Sequence, residues 1–113
     1  MMWEVVVMYL KNFWNFLFNP SPRWKDINGY ENIYQISDEG DIYNVKDFKP
    51  MSTFIKKDGY ECVALTDKRG KTKQYRVHRL VAQTFLQVPQ DKTRVEHIDG
   101  DKTNNNVNNL RWV

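Results

Sequence analysis

Three acidic turns that end in glycine constrain the fold of this 113-residue chain most strongly. They are Asp38-Glu39-Gly40, Asp67-Lys68-Arg69-Gly70 and Asp99-Gly100, and each is flanked by short apolar segments. Glycine adopts the positive φ that tight turns require, so each turn indicates a reversal between two strands. We therefore expect a chain built largely from small antiparallel hairpins.

The residues that flank these turns place the strands. Before the first turn Tyr34 and Ile36 alternate with polar neighbours, and Ile42, Tyr43 and Val45 follow it. The second hairpin is predicted to join residues 60–65 to residues 73–77, and the third to join residues 94–97 to residues 109–113. Leu110 and Trp112 in the last strand are expected to anchor it in the core.

One helix is predicted between the second and third hairpins. Leu80, Val81, Phe85 and Leu86 fall at helical spacing, and Pro89 closes the segment. Strands and turns with a single helix place the chain in the α+β class. The length corresponds to one domain-sized unit with a short appendage.

That appendage is an apolar leader at residues 1–22, which the cluster Asn19-Pro-Ser-Pro22 separates from the rest. The apolar run is shorter than the roughly 20 residues of a membrane-spanning helix, and Glu4 and Lys11 interrupt it. We interpret it as a helix that packs on the domain or a partner, without stable membrane association. An interfacial membrane segment is the alternative.

Charge is unevenly distributed along the chain. The whole chain has a net charge of +3, yet eight basic and only three acidic side chains lie between residues 56 and 79. The basic residues are Lys56, Lys57, Lys68, Arg69, Lys71, Lys73, Arg76 and Arg79. Such a segment favours a polyanionic partner, and a solvated hairpin rim is the alternative. The single cysteine, Cys62, is expected to be a buried thiol, which suits a reducing cytosol.

The most reactive grouping is Glu96-His97, which precedes an asparagine-rich loop. A carboxylate can hold a hard cation while an imidazole takes a proton from water, and phosphodiester hydrolysis needs both. We expect the two side chains to face a shared pocket. Asp99 and Asp101 do not form a calcium loop of the EF-hand type, because the sixth and twelfth positions hold Asn104 and Leu110.

Two segments resemble parts of a known family. Residues 76–113 resemble the phage-type HNH homing endonucleases through Val77-His-Arg-Leu-Val-Ala-Gln-Thr-Phe85, Val95-Glu-His-Ile-Asp-Gly-Asp-Lys-Thr-Asn-Asn105 and Asn109-Leu-Arg-Trp-Val113. Residues 24–40 are similar to the nuclease-associated modular DNA-binding motif that often precedes that nuclease. The resemblance implies three regions: the leader at 1–22, a β-rich DNA-binding motif region at 23–75 and an HNH nuclease motif at 76–113.

The resemblance also implies a ββα-metal active site, in which two strands and a helix hold a divalent ion over the scissile phosphate. His97 would be the general base, and Glu96 would be a metal ligand where close relatives often have Asp. Asn109 would brace the loop and orient the His97 imidazole. The implied cofactor is Mg²⁺, or Mn²⁺ as the alternative, and the partner is double-stranded DNA. The eight basic residues would follow its phosphates.

The family's remaining functional position, a His or Asn on a helix after the second strand, would lie beyond Val113. We therefore expect a partial motif that lacks its C-terminal helix. The function implied is that of a nicking homing endonuclease of phage or prophage origin, acting in the cytoplasm of a bacterial host. The alternatives are a catalytically decayed HNH-fold DNA-binding protein and, from the apolar leader, a membrane-associated small protein.

Two further expectations concern aromatic rings. His78 opens the helix without a neighbouring carboxylate, so a structural role is favoured for it. Trp24, Tyr30 and Tyr34 could stack on bases or sugars, but packing in the core is the preferred interpretation. The sequence gives no indication of an oligomeric state.

Overall fold

The computed structural model describes residues 22–113, so the expectations for the leader fall outside the described residues except at Pro22. The described part contains nine short strands, one α-helix and one 3₁₀ turn at Val107–Asn109. In chain order the elements are β1 (Trp24–Asp26), β2 (Tyr34–Ser37), β3 (Ile42–Asn44), β4 (Lys49–Pro50), β5 (Phe54–Ile55), β6 (Glu61–Thr66), β7 (Thr72–Arg76), α1 (Val77–Phe85), β8 (Val95–His97) and β9 (Leu110–Trp112).

The strands form three small antiparallel sheets in which neighbours in space are neighbours in the chain. The first sheet has the order β1-β2-β3-β4, the second β5-β6-β7 and the third β8-β9. This arrangement confirms the predicted α+β class. It also confirms the hairpins β2–β3, β6–β7 and β8–β9. Strands β1, β4 and β5 were not predicted, because two or three exposed residues carry no alternation of polar and apolar side chains.

Helix α1 follows β7 without a connecting loop and begins one residue earlier than predicted. Val77, Leu80 and Val81 are buried at the spacing of one helix face. The helix ends at Phe85, where the Leu86 amide donates to the Ala82 carbonyl over 3.0 Å. That buried face contacts strands of all three sheets, so α1 joins them into one core.

The core confirms most expectations about burial. Ile36, Val63, Leu65 and Val81 are fully buried, and each such side chain stabilises the fold by about 1.5–3 kcal/mol relative to exposure. Cys62 is buried, as predicted.

The aromatic residues Trp24, Tyr30 and Tyr34 differ in burial. Tyr30 and Tyr34 pack in the core as expected, whereas Trp24 does not, since 43 % of its surface is exposed on the edge strand β1. Leu110 is buried and Trp112 is half-buried in β9, as anchors of the last strand. Over residues 22–113, no helix has both the length and the apolar character needed to cross a bilayer.

Candidate active site

His97 is the last residue of β8 and pairs in register with Leu110 of β9. Only 7 % of its surface is exposed. Its ring lies 4.8 Å from the His78 ring of α1 and 6.0 Å from the Tyr60 ring that precedes β6, measured between centroids. The imidazole is therefore held between the third sheet, the helix and the second sheet.

A chain of hydrogen bonds orients this imidazole. Nε2 of His97 lies 2.8 Å from Oδ1 of the buried Asn105 side chain. The Asn105 amide in turn donates from Nδ2 to Oε1 of Glu61 over 3.4 Å. Because a carboxylate only accepts, Glu61 fixes the amide with its oxygen towards His97. Nε2 must then carry the proton, and Nδ1 keeps the lone pair.

Nδ1 of His97 is the nitrogen left for chemistry. Among residues 22–113, the fully buried side-chain polar atoms without a hydrogen-bond partner are His78 Nδ1 and Trp112 Nε1. Nδ1 of His97 is not one of them and forms no hydrogen bond with the described residues, so no described side chain occupies its lone pair. A general base needs such an open lone pair.

Asn105 owes its position to close packing against the first hairpin turn. Gly40 has φ +91°, and a Cβ placed on it would lie 3.0 Å from the Asn105 Cβ. The Val107 amide also donates to the Asp38 carbonyl over 2.8 Å. The turn of the first sheet and the loop before β9 therefore fit together only because residue 40 has no side chain.

Glu96 occupies a different environment. Its Oε1 accepts a hydrogen bond from Nη2 of Arg111 over 3.0 Å, and 43 % of its side chain is exposed. Because consecutive residues of a strand point to opposite faces, Glu96 and His97 diverge. Glu96 pairs with Arg111 in this conformation, and the pocket expected for Glu96 and His97 stays a prediction.

Asn109 braces the loop and makes no hydrogen bond to the imidazole. Its Nδ2 donates to Asp99 Oδ1 and to the Asn104 carbonyl, both over 2.9 Å, and its Oδ1 accepts from the Asp99 amide. The side chain that contacts the imidazole is that of Asn105, and an orienting role of Asn109 through the loop stays a prediction. The asparagine run signals a loop rich in such bonds, but it does not reveal which amide faces His97.

Acidic side chains in the same loop are similarly engaged. Hydrogen bonds from Asn104, from the Asp101 amide and from Asn109 lower the pKa of Asp99. Thr103 lowers the pKa of Asp101 through its hydroxyl and its amide. Both carboxylates thus accept hydrogen bonds that stabilise the turns of the loop, in agreement with the sequence interpretation. Residues 22–113 contain no cluster of three or more His, Cys, Asp or Glu side chains that could hold a metal ion.

His78 is a neighbour of His97 that sequence spacing did not reveal. It stacks on Tyr60 with ring centroids 4.9 Å apart. Burial, assisted by the charges of His97, Arg76 and Arg79, lowers the pKa of His78 to about 4. His78 is therefore a neutral packing partner at pH 7, which is consistent with its expected structural role.

Seven of the eight predicted basic residues form two groups towards opposite ends of β6. The near cluster consists of Lys56, Lys57 and Arg76, beside Tyr60, and includes Lys102, which the sequence interpretation missed. The far cluster consists of Lys68, Arg69, Lys71 and Lys73, at the β6–β7 turn. At about 3.4 Å per residue, the nearest members of the two clusters, Lys73 and Arg76, lie about 10 Å apart along β7.

The two clusters differ in how their charges are used. In the near cluster, Arg76 pairs with Asp58 at 2.8 Å, and Lys102 donates to the Asp58 carbonyl over 2.7 Å. Arg79 belongs to neither cluster, since it is half-buried and donates to the Thr93 carbonyl over 2.9 Å. Lys68, Arg69 and Lys71 are exposed and make no side-chain ion pair with the described residues. The far cluster is therefore the part most available to phosphates.

Both parts of the described chain match known families. Residues 23–66 match the NUMOD4 motif, and residues 75–113 match the HNH endonuclease family. DNA endonuclease I-HmuI of Bacillus phage SP01 is 48 % identical over 91 residues, covering 80 % of this chain and 52 % of that protein. An uncharacterised HNH endonuclease, L245 of Acanthamoeba polyphaga mimivirus, is 42 % identical over 91 residues, covering 80 % of this chain and 27 % of that protein.

The fold is shared as well. A solved structure described as DNA binding and cleavage by the HNH homing endonuclease I-HmuI superposes with a TM-score of 0.74 at 46 % identity. The match covers 80 % of this chain and 52 % of that one. The chain thus spans about half the length, or less, of the curated relatives it matches. The chain therefore carries a NUMOD4 motif ahead of an HNH endonuclease domain, and in sequence and fold it is similar to the phage HNH homing endonuclease I-HmuI.

Proposed function

We propose that this chain is a homing endonuclease that hydrolyses phosphodiester bonds of double-stranded DNA, one strand at a time. The observation that carries the proposal is the chain of hydrogen bonds from Glu61 through Asn105 to His97. It leaves, at the end of a strand in the HNH domain, an imidazole with a fixed tautomer and with no described residue bonded to Nδ1. The matched HNH endonuclease domain and the similarity to a relative whose structure is described as DNA binding and cleavage support the same assignment.

In this proposal His97 removes a proton from the attacking water through Nδ1. Asn105 keeps the ring from rotating, and Glu61 keeps the Asn105 amide from flipping. Burial raises the pKa of the Glu61 carboxyl, and the Asn105 hydrogen bond partly opposes that rise. A positioned general base of this kind contributes typically 10²–10⁴-fold to a rate.

Glu96 is the residue that would hold a divalent ion. Mg²⁺ is commonly bound through one or two carboxylates together with substrate phosphates, and a half-exposed carboxylate fits that role. An exposed ion pair such as Glu96–Arg111 contributes little, about 0–1 kcal/mol, so Arg111 does not prevent Glu96 from turning to a cation. When bound, Mg²⁺ or Mn²⁺ supplies charge neutralisation for the departing oxygen. Asn109 holds the loop that follows His97.

The basic residues provide the affinity for DNA. Lys68, Arg69, Lys71 and Lys73 are exposed at one end of β6. Lys56, Lys57 and Arg76 lie towards the other end, where Arg76 covers the Tyr60 ring. The two clusters can contact phosphates at separate points of the DNA backbone without reading bases. We further propose the division into residues 1–22, 23–75 and 76–113 for the leader, the DNA-binding region and the nuclease motif. The site of action would be the cytoplasm of a bacterial host.

One observation favours a second candidate, a catalytically decayed HNH-fold protein that only binds DNA. Glu96 and His97 diverge across the β8–β9 hairpin, and His97 is largely buried. Such a protein would keep the basic clusters and the fold but would not cleave.

A nicking assay separates the two candidates. Supercoiled plasmid is incubated with the parent chain and with Glu96→Gln, in Mg²⁺, in Mn²⁺ and in EDTA, and DNA binding is measured in parallel. Asp91→Asn, which removes an exposed carboxylate from the 86–94 loop, is the matched control. The enzyme proposal expects metal-dependent nicking by the parent and by the control, and strongly reduced nicking by Glu96→Gln with binding retained. A parent that binds DNA but never nicks it supports the second candidate instead.

A further inference from the structure

We propose that Phe48 is an apolar wedge that inserts between two base pairs of the bound DNA. The inference rests on the proposed function, since it assumes that the chain binds duplex DNA. Phe48 lies in the turn between β3 and β4, and 82 % of its surface is exposed. It is the most exposed large apolar side chain among residues 22–113. Nothing within the described part of the fold covers this ring.

The backbone at Phe48 is strained. Its φ is +55°, a left-handed conformation that a bulky residue adopts rarely and that glycine would adopt freely. Only one other described residue besides the glycines has a positive φ, Asn32, a residue type that tolerates this conformation. An aromatic ring thus occupies a position where it adds strain to the turn and no packing to the core. Strain of this kind concentrates at sites of function.

Hydrogen bonds order the turn that carries the ring. The Asp47 amide donates to Asn44 Oδ1 over 2.8 Å, and Asn44 Nδ2 donates back to Asp47 Oδ2 over 3.3 Å. The Val45 amide donates to the Ile33 carbonyl over 2.9 Å, which ties the turn to the first sheet. Asn44 itself is buried. A ring presented by such a turn loses little freedom on binding, because the backbone is already ordered.

The charges around Phe48 favour DNA over an apolar partner. Lys46 and Lys49 are exposed on either side of it. Lys46 and Asp47 also line a cavity of about 360 Å³ together with Asp67 and Lys68, so the β3–β4 turn lies beside the β6–β7 turn. Phe48 therefore projects from the same end of the molecule as the far cluster. Lys46 and Lys49 can contact phosphates on either side of a base step that the Phe48 ring opens.

Proteins that bend DNA use Phe and similar side chains in this way. The ring partly unstacks a base step, and the cost is recovered through wider contact between protein and backbone. The Phe48 ring would contribute stacking without counterion release, whereas Lys46, Lys49 and the far cluster would contribute the salt-dependent part of the affinity. The stacking of Phe48 and the salt-dependent binding of the lysines and arginine can therefore be measured separately.

The test uses Phe48→Gly in the full chain, with Asn32→Gly as the matched control at the other positive-φ position. Binding to a fluorescein-labelled 30-bp duplex is measured by anisotropy in EDTA at several salt concentrations. The same duplex with one central mismatch, which lowers the cost of unstacking, is measured beside it. Melting temperatures are recorded for all variants.

We expect Phe48→Gly to bind the matched duplex about tenfold more weakly, with an unchanged slope of log affinity against log salt. The parent should prefer the mismatched duplex several-fold, and Phe48→Gly should lose that preference while its melting temperature rises. Asn32→Gly should bind like the parent. Affinity within twofold of the parent, a shallower salt slope, or a lowered melting temperature in Phe48→Gly each overturns the wedge alone. A parent that binds neither duplex overturns the proposed function and the wedge together.

Discussion

Gly40 connects the first hairpin turn to the residue that orients His97, so Gly40→Ala is the most informative single substitution. Its φ of +91° imposes left-handed strain on an alanine, which costs about 1–2 kcal/mol. The new Cβ would also lie 3.0 Å from the Asn105 Cβ, well inside the 3.5–4.0 Å that carbon atoms prefer. Overpacking of this kind typically costs a further 1–3 kcal/mol. We expect a total loss of about 2–5 kcal/mol in the free energy of unfolding.

Two other glycines provide the control for the backbone effect. Gly29 and Gly70 have φ of +87° and +83°, and a Cβ on either would meet nothing within 4 Å. Gly29→Ala and Gly70→Ala should therefore lose only the backbone part, about 1–2 kcal/mol. The change that alanine makes to the entropy of the unfolded chain is similar in all three variants and cancels in the comparison.

Equilibrium unfolding in urea, followed by tryptophan fluorescence, measures all three variants against the parent. The excess loss in Gly40→Ala over the two controls should be about 1–3 kcal/mol. Nicking should fall more in Gly40→Ala than in the controls at temperatures where all of them are folded, because Asn105 is displaced. If Gly40→Ala loses no more stability than Gly29→Ala, the contact between the turn and Asn105 does not hold the site, and the reasoning is refuted.

Three further outcomes follow from the same structure. The pKa of His78 is lowered from 6.5 to about 4, so as the pH falls the unfolded chain takes up a proton at His78 before the folded chain does. The free energy of unfolding should therefore be highest above pH 6.5 and fall by at most about 3 kcal/mol towards pH 4. His78→Phe should reduce this loss, as measured by unfolding at several pH values. Asn105→Leu leaves Nε2 of His97 unpaired, so unfolding free energy should fall by about 1–3 kcal/mol and nicking should fall while DNA binding persists. Replacing Lys68 and Arg69 with Gln should weaken DNA binding, as measured by anisotropy. The slope of log affinity against log salt concentration should become shallower by about 0.9 for each phosphate that is no longer neutralised, and an unchanged slope would exclude these residues from the phosphate interface.

The sequence predicted the local elements because their signals are local. Gly40, Gly70 and Gly100 marked the turns between strands, and the apolar spacing of α1 marked its buried face. The two-residue strands β4 and β5 were missed, because so short a segment has no period to detect.

The candidate site depended on contacts that no sequence spacing encodes. His97 was identified from its acidic neighbour, but its orienting partner lies eight positions further on, and the carboxylate behind that partner lies 44 positions before Asn105. No motif in the sequence distinguishes Glu61 from other polar strand residues or Lys102 from other lysines in loops. Alternation along β8 likewise separated Glu96 from His97, although they are adjacent in sequence.

Chemical rescue of His97→Ala tests most directly whether this imidazole acts as the base. Nicking of supercoiled plasmid in Mg²⁺ is measured for the parent and for His97→Ala, at DNA saturation, with and without added imidazole. We expect the substitution to slow nicking by about 10²–10⁴-fold and added imidazole to restore part of the rate, with a dependence on imidazole concentration that the parent does not show. A His97→Ala chain that nicks as fast as the parent, or that stays folded and DNA-bound yet gains nothing from imidazole, would contradict the assignment of His97 as the base.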